Sequence, residues 1–568
     1  MTSPPVGRLV AVLGAMMLAI AGVVVRLGVL QVQESGDLFA MGVEQRIRTY
    51  DVPAARGTIL DRNGIPLAMA REARDVFVNP QLVTDPISQA ARIAPLLELD
   101  PAWVRAALRA DGTFVYLGRQ VETDVADRLA SLGLPGVGFR PTVERYYPSG
   151  AVASQVLGFV GTDGTGLGGL EAYHEDVLAG TPGRRTVEVS AQGQEIVGGL
   201  EIVEPSAPGT DLMLTLDREM QYMAQQYLRE AVKENRAEGG TIVVMDPNTG
   251  DVLAMASFPT FDPNRFLEFP AEHRTNRAVT DAWEPGSVNK IVTAAAALET
   301  RSVSLSERFV VPATRVVGNY VIHDSHWHPP ASMTIGDIIS QSSNVGASLL
   351  ADRAGNAALS QYFERFGFGE PTGVGFPGEG AGIMPSGHWE DITRATVSFG
   401  AGVAVTPLQM ASVYATIARG GSWVQPRLVR GTVGADATLL ESVSAPSHRV
   451  IRRETADLLT QMLAAVVEDG TGSAAQIEGY QVAGKTGTAK KIDARGRYSN
   501  RYVASFIGFL PASAPRVVVA VVIDEPKTVY GGVAAAPLFS DMARYAIQRL
   551  GIEPAPSVPA PPHVQAAA

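Results

Sequence analysis

The chain contains no cysteine in 568 residues, which excludes a thiol nucleophile, a thiolate metal site and any disulfide. That absence is compatible with an oxidising compartment without requiring one. Positive charge is in deficit: 47 Lys and Arg against 58 Asp and Glu leave a formal net charge of −11. An extended nucleic-acid footprint is normally basic, so no nucleic-acid partner is expected. Lysine is scarcer still, with six residues among the 47: Lys233, Lys290, Lys485, Lys490, Lys491 and Lys527. Arg serves nearly everywhere else, and a neutral primary amine is chemistry that Arg cannot supply. Each Lys is therefore worth inspecting. What the chain does have is length and apolar content (46% hydrophobic), enough for two to four domains with ample core.

One uncharged run, Leu9 to Val25, stands between Arg8 and Arg26, and apolar residues continue to Leu30. Seventeen residues rise about 25 Å as helix, and the longer count spans a bilayer comfortably. Ala19-Ile20-Ala21 resembles a signal-peptidase site, but the apolar residues beyond it favour an uncleaved anchor at 9–30, with a short cytoplasmic tail at 1–8. A mixed, non-catalytic module is expected over 31–205. Within it Asn63-Gly64 supplies a hairpin turn between apolar strands. From about residue 207 the texture changes. Asp217 opens an amphipathic helix, with Met220, Met223, Ala224, Tyr227, Leu228 and Ala231 on one face. Thr241–Met245 and Val252–Ala256 form a hairpin, Val288 to Glu299 a long helix, and Ser505–Leu510 and Val517–Ile523 buried strands. The catalytic domain is placed at 206–550, an α/β (α+β) module with a mostly antiparallel sheet flanked by helices. The Pro/Ala-rich tail at 551–568 is expected to be disordered.

Three short constellations carry chemistry. In Pro285-Gly286-Ser287-Val288-Asn289-Lys290, a three-residue spacing places Ser287 and Lys290 on the same helix face. A helix N-terminus beside Ser287 aims N–H groups at a developing oxyanion. To act as a base the Lys must be neutral. An unperturbed Lys of pKa ~10.4 is neutral in only about one molecule in 2,500 at pH 7, so burial or a neighbouring cation is required. Ser342-Ser343-Asn344 sets a hydroxyl and a carboxamide two apart at a helix end or turn; taken alone, it is equally a polar cap. Lys485-Thr486-Gly487-Thr488 read as a strand alternates Lys and Gly with Thr, and Gly487 would let a substrate backbone approach closely. Lys485 is a candidate second cation for Lys290.

Together these motifs follow in the order S-x-x-K, S-x-N about 55 residues on, and K-T-G about 140 beyond, the signature of penicillin-recognising serine acyl-enzymes. From the anchor to about residue 550 the chain resembles the class B penicillin-binding proteins, which are peptidoglycan D,D-transpeptidases. Arg56-Gly57 through Asp61-Arg62-Asn63-Gly64, Arg145-Tyr146-Tyr147-Pro148 and Gly169-Leu170-Glu171 resemble that family's N-terminal module. Lys485 to Lys491, Gly496-Arg497-Tyr498, Arg501-Tyr502, Tyr530-Gly531-Gly532 and Ala536-Pro537-Leu538-Phe539 look most like the septal, FtsI-type member. Asn289 and Ala401 depart from the usual pattern.

The resemblance implies the family's penicillin-recognising transpeptidase fold and a role for each motif residue. Lys290 would take the Ser287 proton, and Ser287 would attack the penultimate D-Ala of a stem peptide. Ser342 would relay the proton to the departing D-Ala, while Asn344 would hold Lys290 and the peptide. Lys485, Thr486 and Thr488 would bind the terminal carboxylate, with Gly487 between them, and the Ser287 and Thr488 N–H groups would form the oxyanion hole. It also implies β-lactam binding, no cofactor or metal, a single-pass inner-membrane protein with its catalytic domain in the periplasm, and a SEDS-type (FtsW-like) glycosyltransferase among divisome partners. An elongation-specific transpeptidase and a non-enzymatic β-lactam sensor or divisome scaffold remain as alternatives. Two decoys are set aside. Gly164 to Gly169 matches G-x-G-x-x-G, but Glu171, Glu175 and Asp176 would repel a pyrophosphate. His323, His326 and His328 with Asp324 lack a regular ligand register and read as solvated loop residues.

Overall fold

The computed structural model describes residues 6–33, 46–190, 195–434, 436–442, 445–493 and 495–560. Two compact units are present: Met1–Ala55 with Gly180–Pro208, and Arg56–Ala179 with Gly209–Ala568. The first holds the N-terminal helix Val6–Gly28, which with the turn after it is long and apolar enough to cross a membrane. It also holds a three-stranded antiparallel sheet of Ile47–Val52, Gly183–Glu188 and Glu201–Glu204.

In the second unit, α1 (Arg218–Asn235) begins where Asp217 caps it, accepting the Met220 N–H at 3.0 Å. Met220, Ala224 and Leu228 are its buried stripe. Strands β1 (Gly239–Met245) and β2 (Val252–Phe258) form the expected hairpin. The chain then builds a helical region containing α2 (Lys290–Glu299), α3 (Asn344–Ala354), α4 (Pro407–Ala418) and α5 (Arg453–Glu468). It returns to the sheet as β3 (Ala483–Ile492), β4 (Tyr498–Leu510) and β5 (Val517–Asp524), and closes with α6 (Ala536–Leu550). The sheet order is β2-β1-β5-β4-β3, every neighbour antiparallel, so β3 is an edge.

Strand periodicity divides the core into two. Ile242, Val244, Val517, Val519, Val521 and Ile523 pack with α1 and α6, while Val243, Met245, Val518 and Ala520 face the helical region. Both faces are covered, which is why these strands read as unbroken apolar runs rather than alternating ones.

Residues 56–179, part of the N-terminal module that sequence places at 31–205, share one compact unit with the catalytic region. A seven-stranded sheet runs from Leu439–Glu441 and Val429–Val433 through Asp211–Leu214 and Ile59–Leu60 to Pro66–Val78, which pairs with Val115–Glu122 and Val137–Tyr146. Its Ile59–Leu60 pairs parallel with Asp211–Leu214. Asp61 reinforces the junction, accepting from the Arg218 N–H at 3.2 Å. Two glycines of 164–169 serve close chain approach: a Cβ on Gly169 would lie 2.4 Å from Gly158 N and one on Gly166 2.3 Å from Glu171 O. The buried Glu171 beside them accepts from Arg56 at 2.6 Å and Arg145 at 2.7 Å. The Pro/Ala-rich tail differs from expectation as far as it is described. Val558 N donates to Gln481 Oε1 at 2.6 Å and Ile552 O accepts from Tyr480 at 2.7 Å, partners that a disordered tail would lack. The remainder of that tail, 561–568, and residues 1–5 of the N-terminal tail lie outside the described residues.

Candidate active site

Ser287 does not open the α-helix. It sits in a 3₁₀ turn, Gly286–Asn289, and Lys290 is the first residue of α2. Gly286 adopts φ +58, a left-handed geometry that breaks the chain before the turn. In a 3₁₀ turn residues i and i+3 eclipse, so the turn aligns Ser287 and Lys290 more directly than the expected α-helix would. Lys290 Nζ lies 3.0 Å from Ser287 Oγ, 3.2 Å from Ser342 Oγ and 2.5 Å from Ser342 O. It is 1% exposed. Burial pushes its pKa well below the usual lysine value, the Lys485 charge pushes the same way, and Asp324 opposes.

Ser342 is held with φ +61, a strained setting for a non-glycine residue, between the helix Ile335–Ser340 and α3. Ser343 caps α3, accepting from Gly346 N at 2.8 Å. Asn344 is placed differently from expectation: its Nδ2 donates to His323 O at 3.0 Å, and it makes no hydrogen bond to Lys290. The reason is Asp324. This carboxylate accepts from Asn344 N at 2.5 Å, Val345 N at 3.0 Å, the Ser343 hydroxyl at 2.7 Å and His328 Nε2 at 2.8 Å, fixing the first turn of α3. Although burial opposes it, the Ser343, Val345 and His328 bonds hold the Asp324 carboxyl below its usual pKa. Sequence set Asp324 aside with the loop histidines; it is the organiser of the second motif. The His326 ring stacks near Tyr530, 6.2 Å between centroids.

The third motif lies on the edge strand β3. Lys485 is 1% exposed, and burial lowers its pKa to about 7. Its Nζ reaches Thr486 Oγ1 and Thr486 O at 3.4 Å. Thr488 Oγ1 accepts from Gly531 N at 3.2 Å. Gly487 is also required by packing within the protein. A Cβ there would lie 2.3 Å from Ser505 Oγ, 3.0 Å from Val288 Cγ1 and 3.1 Å from Pro285 O, so glycine lets the strand press on the turn bearing Ser287. That turn is braced from behind as well. Gly286 N donates to Gly400 O at 3.0 Å, and Glu284 accepts from Gly402 N at 2.7 Å and Tyr498 Oη at 3.0 Å. Asn289 is wholly buried; its Nδ2 donates to Val397 O at 2.9 Å and its Oδ1 has no partner. Ala401 N donates to Thr396 O at 3.1 Å, ending the helix Asp391–Val397 without altering the brace.

An edge strand carrying K-T-G, set against a helical region carrying S-x-x-K and S-x-N, defines a penicillin-recognising serine acyl-transfer enzyme. Residues 240–544 match the penicillin-binding protein transpeptidase domain and residues 51–214 the penicillin-binding protein dimerisation domain. The chain belongs to the penicillin-binding protein transpeptidase family. It is 36% identical over 558 residues to a probable peptidoglycan D,D-transpeptidase PenA of Neisseria meningitidis, covering 96% of this chain and 94% of that one. It is 35% identical to the peptidoglycan D,D-transpeptidase FtsI of Escherichia coli K12, covering 96% and 92%. The crystal structure of penicillin-binding protein 3 from Mycobacterium tuberculosis, complexed with aztreonam, superposes with a TM-score of 0.71 at 32% identity, covering 90% of this chain and 100% of that one.

Proposed function

We infer that the chain is a peptidoglycan D,D-transpeptidase of the septal, FtsI type and a β-lactam target. The observation that carries the mechanism is the contact of 3.0 Å between Ser287 Oγ and a buried Lys290 Nζ. Neutral Lys290 accepts the Ser287 proton as Oγ attacks the carbonyl of the penultimate D-Ala. The Ser287 and Thr488 N–H groups hold the oxyanion. The proton passes from Lys290 through Ser342 to the departing D-Ala amine, for which the 3.2 Å Lys290–Ser342 contact provides the route. An amine of a neighbouring stem peptide then displaces Ser287 and forms the cross-link. One amide is exchanged for another, so the step needs no nucleotide. Lys485, Thr486 and Thr488 seat the terminal carboxylate, and Asn344 lines the peptide site instead of holding Lys290.

The N-terminal helix anchors the chain by a single pass, with the catalytic unit in the periplasm. The chain cross-links glycan polymerised by a SEDS-type partner in the divisome. The test is depletion with complementation by Ser287→Ala. Filamentation without rescue and loss of covalent fluorescent-penicillin labelling support the reading. Rounding of the cells would assign the chain to elongation, and full rescue would sink the enzymatic role.

A further inference from the structure

We propose that Thr471 is a positioning residue for acylation, which aims the Thr486 hydroxyl at the terminal carboxylate of the donor. The inference rests on the reading of Lys485 and Thr486 as that carboxylate's seat. Thr471 lies in the Gly470-Thr471-Gly472 turn that follows α5, fourteen residues before Lys485 in sequence and outside the three motifs. Its Oγ1 is 2.8 Å from Thr486 Oγ1 and 3.5 Å from Lys485 Nζ. The backbone of the turn is fixed from two sides. Gly472 N donates to Val466 O on α5 at 3.0 Å, and a Cβ on Gly532 would lie 2.6 Å from Thr471 O. The second glycine of Tyr530-Gly531-Gly532 therefore admits Thr471, while the first meets β3: a Cβ on Gly531 would lie 2.3 Å from Gly487 O.

Proton bookkeeping is consistent with the role in the arrangement where Thr471 is the donor of its contact with Thr486. Among the described residues Lys485 has no carboxylate partner; it donates to Thr471 Oγ1, Thr486 Oγ1 and Thr486 O. An ammonium carries donors only, so both hydroxyls accept from it and each keeps its own proton. One of those two protons fills the Thr471–Thr486 contact. Thr471 is exposed, whereas Thr486 is 7% exposed. When Thr471 donates, both acceptor positions of Thr486 Oγ1 are occupied, by Lys485 and by Thr471. The Thr486 proton must then point out of the cluster. A buried O–H beside a cation is satisfied best by an anionic oxygen, which is the donor's carboxylate.

The test compares acylation of the full-length protein by benzylpenicillin and by its uncharged methyl ester, in wild type, Thr471→Val and Thr471→Ser. Thr471→Val is expected to slow the acid about tenfold or more while leaving the ester within about twofold, the signature of a lost charge-assisted hydrogen bond. Thr471→Ser restores the acid rate, since it returns the hydroxyl without the methyl. Equal slowing of acid and ester, which a merely structural role would produce, overturns the proposal, as does no slowing at all. A wild type that reacts equally with both compounds refutes the carboxylate seat itself, a failure visible before any variant is made.

Discussion

Lys290 and Lys485 are both buried, and the charge of Lys485 is one of the two causes that depress the pKa of Lys290. Because Lys290 bears that repulsion, its proton leaves first: a neutral amine beside Ser287 is matched with a cation on β3. Each lysine needs the protonation state that the other supports.

Replacing Lys290 by Met removes the base and keeps the shape. Acylation by a penicillin should fall by about 10²–10⁴-fold, the range for loss of a positioned base. Thermal stability should change little, since a desolvated nitrogen is removed while the Ser342 carbonyl it meets loses its donor, two effects of opposite sign. Loss of activity accompanied by unfolding would contradict this.

Lys485 sets the alkaline limb of the reaction. In the free protein its pKa is about 7, so kcat/KM for a carboxylate-bearing donor should decline as pH rises through about 7 and the cation is lost. A bound carboxylate favours the charged form, so the corresponding limb of kcat should lie higher. Lys485→Arg keeps its charge, and its kcat/KM profile should lose the decline. An unmoved limb in that variant would assign the titration elsewhere.

Asp324 joins the His-bearing loop to the second motif. Asp324→Asn keeps one oxygen for the Asn344 and Val345 N–H groups but puts an NH2 donor where Ser343 and His328 now meet a carboxylate oxygen, and should destabilise the protein by about 1–2 kcal/mol, as loss of a buried acceptor does. It also removes the one negative charge that supports protonation of Lys290, so the acid limb of kcat/KM should move to lower pH. Denaturant unfolding and a pH profile on the same sample check the two effects.

Asn289 is one of the two residues that sequence sets apart from the resemblance without weighing their effect. Its Oδ1 is buried without a partner, and the Val397 carbonyl that its Nδ2 meets also accepts from Gly400 N at 3.0 Å. Asn289→Leu should therefore change stability by less than about 1 kcal/mol or increase it, because an unsatisfied buried polar atom is removed. A Tm drop of many degrees would refute this.

The parts of the site that sequence makes legible are those in which chemistry and spacing coincide. Ser287 and Lys290 are three apart on one turn, and Lys485 heads a strand pattern, so their association is readable. Buried strands were equally clear, because Val517–Ile523 is apolar throughout. Partners brought together only by folding are not readable. Asp324 reaches Ser343 from 19 residues away without a motif to announce it. Thr471 approaches Lys485 from the end of a different element. Gly487 shows a subtler limit: the need for glycine is visible in the sequence, but the group it makes room for, Val288 and Pro285, is visible only in three dimensions. The Asn344 carboxamide turned away from Lys290 because two caps had already fixed its backbone.

The parallel pairing of Ile59–Leu60 with Asp211–Leu214 decides where the chain can be cut. A fragment beginning near residue 206 keeps every motif residue but loses the strand that covers Asp211–Leu214 on that side. Its unpaired N–H and C=O groups would then form an open edge, a template for pairing with other chains. Such a fragment should aggregate, whereas one beginning before Ile47 keeps this edge and that of Gly183–Glu188 closed. Size-exclusion chromatography of the two fragments at equal concentration distinguishes these outcomes, and the contiguous stretch that contains all the catalytic residues is shorter than the unit that can stand alone.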